Sequence, residues 1–426
     1  MRHARLILFT AILSLQGVPA VGAEPTAIGA RLELFVDRAL VERLDGVELR
    51  TQRPEPREVV LVTDRPWEGN TCAYYTIFQD RDDTGDRYRM YYRGSHHDEK
   101  SRKAAHREVT CYAESRDGVH WTKPELGLFE FGGSKRNNIV WDGIGTHCFA
   151  PFKDVNPACD ADARYKAIAR GRPRGKKGLY VFKSPDGIRW SLLRDEPVIT
   201  NGDFDSQNLA FWDTERELYV DYHRRSRDGR RDIMTCTSRD FVSWSEPVFL
   251  EYPGAPREHL YTNAIRQYDR APHIRLGFPT RYNPSTQQVE PILMASRDGR
   301  TFHRWPEALI PITAPKDRDG NRSNYLTRGL VRLPGREKEY SVYATEAYYT
   351  GPDSRVRRFT FRVDGFVSAS ASKKGGGELV TRPLTFTGRE LILNHVVRTG
   401  GRVRVELQDA GRRPYDGFSL ADCTPL

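Results

Sequence analysis

Apolar and polar residues alternate along this chain in short runs. Tyr88–Gly94 reads YRMYYRG, Leu218–Arg224 reads LYVDYHR, Ile274–Arg281 reads IRLGFPTR and Tyr340–Glu346 reads YSVYATE. A period of two places every second side chain on one face, the mark of a strand buried on one side. Sustained helical periods are hard to find. With 20 Tyr, 19 Phe and 7 Trp against 4 Met, the residue content favours sheets as well. The pattern predicts an all-β protein.

The strands come in groups. Three predicted strands precede each of four copies of one motif: SRDGVHW at Ser115–Trp121, SPDGIRW at Ser184–Trp190, SRDFVSW at Ser238–Trp244 and SRDGRTF at Ser296–Phe302. The Ser residues stand 69, 54 and 58 residues apart. Strand-filled periods of this length are those of propeller blades. In the motif, Asp is suited to accept backbone N–H bonds in a turn, Gly supplies a positive φ, and the aromatic residue covers the blade. Phe241 replaces Gly in the third copy, which predicts a different turn there. The motif resembles the Asp-box of sialidase-type propellers, which implies a structural role on the face away from the binding site.

A fifth group, YLTRGLVRL, YSVYATE and VRRFTFR, lacks the motif and an outer strand. Arg31–Asp37 (RLELFVD) is expected to supply that strand and close the ring, leaving no free edge. The expected organisation is a five-bladed β-propeller over residues 27–370, a linker at Ser370–Glu378, and a short sandwich-like β-strand appendage over residues 378–426. LTFTGRELILNH and RVRVELQDAG would be the strands of that appendage. Residues 1–23 carry Arg2 and Arg5, an apolar run from Leu6 to Leu15 and the small residues Val21-Gly22-Ala23. This is the pattern of a cleaved secretory signal, and the run is too short to span a bilayer. The expected location is periplasmic or secreted, with no membrane attachment after cleavage.

The formal charge is +10, of which Arg2 and Arg5 contribute two. No zinc-finger or RNA-binding pattern accompanies it, so the expected partner is a negatively charged polysaccharide rather than nucleic acid. Six Cys with no CxxC pair give no zinc pattern and leave disulfides open, Cys148–Cys159 among them. DRDDTGD at Asp80–Asp86 carries calcium-type residues without EF-hand spacing and reads as a solvated hairpin turn. No metal and no other cofactor is expected.

ELFVDRALVE, PWEG, PFKDVNP, FDSQNLAFWD, EHLYTN, RAPHIRLGFPTR and VDGFVSASA carry a resemblance over nearly the whole chain. The chain resembles exported five-bladed β-propeller proteins of Planctomycetes and related bacteria, which are similar to the invertase, levansucrase and arabinanase type of glycoside hydrolase. The resemblance implies a central channel at whose mouth the first strand of each blade begins and the second strand ends. It places ligands at that mouth, and it implies a last domain that is incomplete at Leu426.

That arrangement sorts the polar residues. Glu68, Asp205 and Glu258 fall near the starts of first strands. Hydrolysis of a glycosidic bond takes two carboxyl groups, one donating a proton and one activating water or attacking. Glu68 is the expected base, Glu258 the expected acid, and Asp205 an orienting carboxylate or the alternative base. The related families place an acid where this chain has His147. Second strands end in Arg93, Arg170, Arg224, Arg281 and Glu346, and Arg328 lies in a first strand. Guanidinium groups pair with carboxylate and sulfate. Trp67 is placed to stack on a sugar, and His147 to bind hydroxyls or relay a proton. The expected function is an exported glycoside hydrolase acting on a uronate- or sulfate-bearing polysaccharide or oligosaccharide. A non-catalytic carbohydrate-binding propeller and a sialidase-like enzyme are the alternatives.

Overall fold

The structure, a computed structural model, describes residues 24–82, 85–311, 325–371 and 376–426. The expected secretory signal lies outside the described residues. Among these residues regular structure is strand, apart from two single 3-10 turns at Ala161–Ala163 and Pro173–Gly175. The described residues form two compact units, one of those within 31–380 and one joining 24–30 with 381–426.

In the larger unit, the first and fifth groups share one nine-stranded sheet. Ala73–Asp82, Gly85–Gly94, Val109–Ser115 and Trp121–Thr122 follow one another outward, each antiparallel to the last. Leu326–Val331, Glu339–Glu346, Arg355–Arg362 and Glu55–Val62 do the same on the other side. The two innermost strands meet in parallel at Thr76 and Arg328. The second group is Ala150–Lys153, Tyr165–Gly171, Gly178–Ser184 and Ser191–Leu192. The third is Leu209–Asp213, Leu218–Arg227, Arg230–Ser238 and Val248–Phe249.

In the fourth group the second strand is interrupted. Ala271–Gly277 and Thr280–Asn283 both pair with Gln288–Ser296, and Pro279, which has no N–H to give to a ladder, falls in the gap. The inner strand Ala150–Lys153 lies against those of the first and third groups. Sheets that follow one another in this way around a channel make a propeller arrangement.

The strand that completes the fifth group comes from the amino-terminal side, as expected, but it is Glu55–Val62 and not Arg31–Asp37. Glu58 in that strand pairs with Arg358 at 3.0 Å, whose side chain is 1% exposed. Arg31–Asp37 forms no strand. Its polar side chains hold it to the fourth motif instead: Arg297 binds Glu33 at 2.8 Å and Asp37 at 2.9 Å. Leu34 and Val36 are buried beside Trp305 and Leu309.

The four motifs build one turn four times. Asp117 accepts from the backbone of Val119 and His120 at 2.9 and 2.8 Å, and Asp186 from Ile188 and Arg189 at 2.8 Å each. Asp240 and Asp298 accept from the matching residues of their own copies at 2.7–2.8 Å. Register pairs Ser115 with Tyr88, Ser184 with Tyr165 and Ser238 with Tyr219. These turns therefore lie at the ends of the strands opposite Arg93, Arg170 and Arg224.

The third turn keeps the backbone conformation of the rest, contrary to expectation, and differs in that the bond from Gly118, Gly187 and Gly299 N–H to the motif Ser hydroxyl has no counterpart at Phe241. Phe241 takes φ +66°, close to the +70°, +75° and +75° of Gly118, Gly187 and Gly299. At those glycines a Cβ would meet a tyrosine hydroxyl, from Tyr343 at 3.0 Å, Tyr91 at 2.9 Å and Tyr222 at 3.0 Å. Each of those hydroxyls donates to the glycine carbonyl. Two residues before Arg170, where Tyr91 and Tyr222 stand relative to Arg93 and Arg224, the second group has Ile168. No hydroxyl occupies that place, and the buried ring of Phe241 joins Ile168 and Phe152 in one apolar cluster.

In the smaller unit Thr26–Gly29 pairs in parallel with Leu384–Phe386. The strands expected through LILNH and RVRVELQDAG do not form. Leu391, Ile392 and Val396 are exposed, so their alternation has no surface to pack on within the unit. The six cysteines are free, including Cys148 and Cys159.

Candidate functional site

Three of the expected arginines converge. Asp205 lies in the loop before Leu209–Asp213, and Arg170 donates to it at 2.6 Å. Arg224 reaches its other oxygen at 3.2 Å, and His147 Nε2 stands 3.2 Å away. On the far side of the ring, His147 Nδ1 meets Glu108 at 3.0 Å. Arg93 lies 3.5 Å from Glu108 and donates to the Thr71 carbonyl at 2.8 Å and the Tyr348 hydroxyl at 3.0 Å. One chain of charge thus runs from the first group through the second to the third.

The protonation states follow from these contacts. A hydrogen bond from His147, working against burial and joined by the charges of Arg224 and Arg170, holds the Asp205 carboxyl well below the usual range. Burial alone would raise Glu108, but His147, Arg93 and Arg170 bring it below its ordinary value. Neither carboxyl suits the part of a proton donor near neutral pH.

Beneath this cluster lies a floor of tyrosines. Tyr74, Tyr261, Tyr325 and Tyr348, with Gln207 and Thr327, line a cleft of only 20 Å³. Tyr325 meets Tyr261 and Tyr348 edge-on at 5.7 and 5.8 Å. Guanidinium groups stand over the rings: Arg93 over Tyr74 at 4.9 Å, Arg224 over Tyr261 at 5.2 Å, and Arg231 over Tyr261 and Tyr282 at 5.3 and 4.8 Å.

Backbone strain gathers here. Tyr74, Phe204 and Ala347 take φ of +58°, +61° and +58°, and they are, or directly precede, residues of the cluster. A non-glycine residue in this region costs on the order of 1 kcal/mol. Around Arg224 the contacts are incomplete: its Nε and Nη1 are buried without a hydrogen-bond partner, as is Nε of Arg93.

The remaining expected residues lie elsewhere. Glu68 is buried: Lys123 donates to it at 2.6 Å, Tyr92 at 2.5 Å and the backbone of Arg65 at 3.1 Å. Its oxygens are engaged, so it does not present a free base to the mouth. Glu258 is held by Arg281 at 3.3 Å and Arg304 at 3.0 Å. Arg281 is spent on Glu258 and, at 3.0 Å, on Glu290. Glu346 pairs with Arg355 and Arg357. Trp67 donates to Asn138 at 2.7 Å and packs edge-on against Phe131. Arg328 donates to backbone carbonyls inside the channel.

Of the first-strand acids, only Asp205 belongs to the cluster. The cluster also contains residues that the sequence reading missed: Glu108, Arg231, Gln207 and the four tyrosines of the floor. Tyr74 and Tyr348 each sit within an aromatic pair, YY, at one end of a strand, and such pairs are the signal that was available.

Two acids of the calcium-type stretch, Asp80 and Asp86, are also engaged. Arg89 and Lys153 hold Asp80, each at 2.6 Å, and Arg81 holds Asp86 at 2.9 Å. Asp83 and Thr84 lie outside the described residues. Among the described residues, Asp221, His223 and Cys236 form a buried group with metal-ligand spacing. Asp221 and the Asn201 carbonyl already engage the two nitrogens of His223.

No protein-family model and no curated protein matches the chain. Among solved structures it is similar to a β-1,2-mannobiose phosphorylase from Listeria innocua, with 13% identity, TM-score 0.49, and coverage of 73% of this chain and 97% of that one. It is also similar to an N-acetylgalactosamine deacetylase from F. plautii, at 12% identity, TM-score 0.47 and coverages of 75% and 97%. An endo-arabinase from Bacteroides thetaiotaomicron is similar at 10% identity, TM-score 0.43 and coverages of 75% and 100%. At this distance the likeness transfers no activity, and the chemistry has to be read from the residues themselves.

Proposed function

We propose that the chain is an exported, glycan-active hydrolase whose five strand groups are the blades of a five-bladed propeller, and that it takes an anionic sugar at the tyrosine floor. The observation that carries this reading is the charge balance of the mouth. Three guanidinium groups, Arg93, Arg170 and Arg224, meet two carboxylates, Asp205 and Glu108, a fourth, Arg231, stands over the rings of Tyr261 and Tyr282, and Arg224 keeps two buried nitrogens without partners. A uronate or sulfate group supplies the missing acceptors, and the floor offers aromatic faces to the sugar ring. Asp205, kept ionised, is the candidate base. His147, between Asp205 and Glu108, orients Asp205.

The experiment is a panel of uronic, sulfated and neutral polysaccharides, scored for binding and for product, with Arg224→Gln and Arg231→Gln beside the wild type. Binding of anionic glycans is expected to fall at least tenfold in the variants. Equal binding of anionic and neutral glycans would overturn the reading. A second reading, a carbohydrate-binding propeller without catalysis, is favoured by the depressed carboxyls of Asp205 and Glu108. It stands if anionic glycans bind and none is cleaved.

A further inference from the structure

Leu326–Val331 runs along the channel. Leu326 and Thr327 line the tyrosine floor. Leu330 and Val331 line a separate cavity of 540 Å³ towards the other end, with Arg266, Asp269, Arg332 and Tyr340. Arg328 lies between the two. Its Nη1 donates to the Pro151 carbonyl of the second group at 3.1 Å, and its Nη2 to the Ala210 carbonyl of the third at 3.3 Å. It stands over the Phe211 ring at 5.7 Å. Arg266 enters from the fourth group and donates to the carbonyls of Leu330 and Gln267.

Neither guanidinium has an ion-pair partner among the described residues. On the Arg266 side the charge of Asp269, which also accepts the Tyr340 hydroxyl at 2.8 Å, acts on Arg266 without an ion-pair contact. Each guanidinium has five N–H groups, and two hydrogen bonds leave most of them unused. Burial, with the charge of Arg266 added, pushes Arg328 down to about 9, so it stays charged at neutral pH. Arg328, half-buried, has no acid among its electrostatic neighbours, and the like charge of Arg266 adds to the cost of holding it there.

We propose that a small inorganic anion, of the halide or oxyanion class, binds in the channel between Arg328 and Arg266, entering from the 540 Å³ cavity. The tyrosine floor, with its 20 Å³ cleft, closes the other route. The site is independent of the mouth: it uses none of Arg93, Arg170, Arg224 or Arg231. It acts as an internal counter-ion that ties the inner strands of four groups together.

The test uses crystals of the full chain soaked in bromide or in selenate, and melting curves in chloride or sulfate against the bulky buffer anion HEPES at constant ionic strength. An anomalous peak within hydrogen-bonding distance of Arg328 and Arg266 is expected. Bromide or selenate occupancy tells halide from oxyanion. The matching anion is expected to raise the melting temperature by roughly 5 °C. That rise should vanish in Arg328→Met and persist in Arg224→Gln. Arg266→Met replaces Arg328→Met if the latter does not fold. Peaks confined to the mouth or the surface, or an anion response unchanged in both channel variants, overturn the proposal.

Discussion

His147 Nε2 stands 3.2 Å from Asp205. Because Nδ1 of the same ring faces Glu108, one imidazole joins the two carboxylates of the mouth, and arginines flank both. Asp205 therefore does two things. It stays ionised, and it occupies two guanidinium groups that an anionic ligand would also seek.

Asp205→Asn separates these roles. Removing the charge frees Arg170 and Arg224, so affinity for a sulfated or uronic ligand is expected to rise several-fold. Turnover is expected to fall by about 10²-fold or more if Asp205 is the base. Calorimetric binding and initial rates measured on the same ligand check both, and tighter binding with unchanged turnover removes Asp205 from the chemistry.

Glu68→Gln is expected to act on stability. The substitution removes the buried partner of Lys123, which is 10% exposed at its side chain; because Asp64 at 3.1 Å keeps a carboxylate beside it, the cost is on the order of 1–2 kcal/mol. Denaturant midpoints check this. A stable Glu68→Gln variant with a large loss of turnover would return Glu68 to the site.

The third motif turn is a test of packing against strain. Phe241→Gly relieves about 1 kcal/mol of left-handed strain but empties a fully buried aromatic site, for which truncations cost about 3–5 kcal/mol. Net destabilisation of about 3 kcal/mol is expected. Gly187→Ala should also destabilise, because its Cβ would lie 2.9 Å from the Tyr91 hydroxyl at φ +75°. Equilibrium unfolding of the two variants reads the balance directly.

Glu33 gives the fold an acid-sensitive tie. Burial pushes its carboxyl up, but hydrogen bonds and the charge of Arg297 prevail and lower it to about 2. A carboxyl depressed on folding contributes stability that is present above its unfolded value, about 4.3, and is lost as pH falls towards the folded one. Melting temperature should decline between about pH 4.5 and pH 2, and Glu33→Gln should flatten that decline.

Strand order within most groups and the places of the four motif turns were legible in the sequence, because period-two alternation and a local turn depend on residues close together in the chain. The convergence of Arg93, Arg170 and Arg224 was legible for a related reason: equivalent positions in repeated strands end at the same place. The choice of Glu55–Val62 as closing strand was decided only in three dimensions. Arg31–Asp37 has an equally good pattern, and what excludes it is the competing hold of Arg297 on Glu33 and Asp37. The same holds for Glu68 and Glu258, whose fate depended on Lys123 and Arg304, partners 55 and 46 residues away in sequence, whereas Glu290 lies opposite Arg281 across a hairpin. Local pattern determined which residues become strands and turns. Only tertiary packing decided which charges find a partner and which, like Arg328, have no ion-pair partner among the described residues.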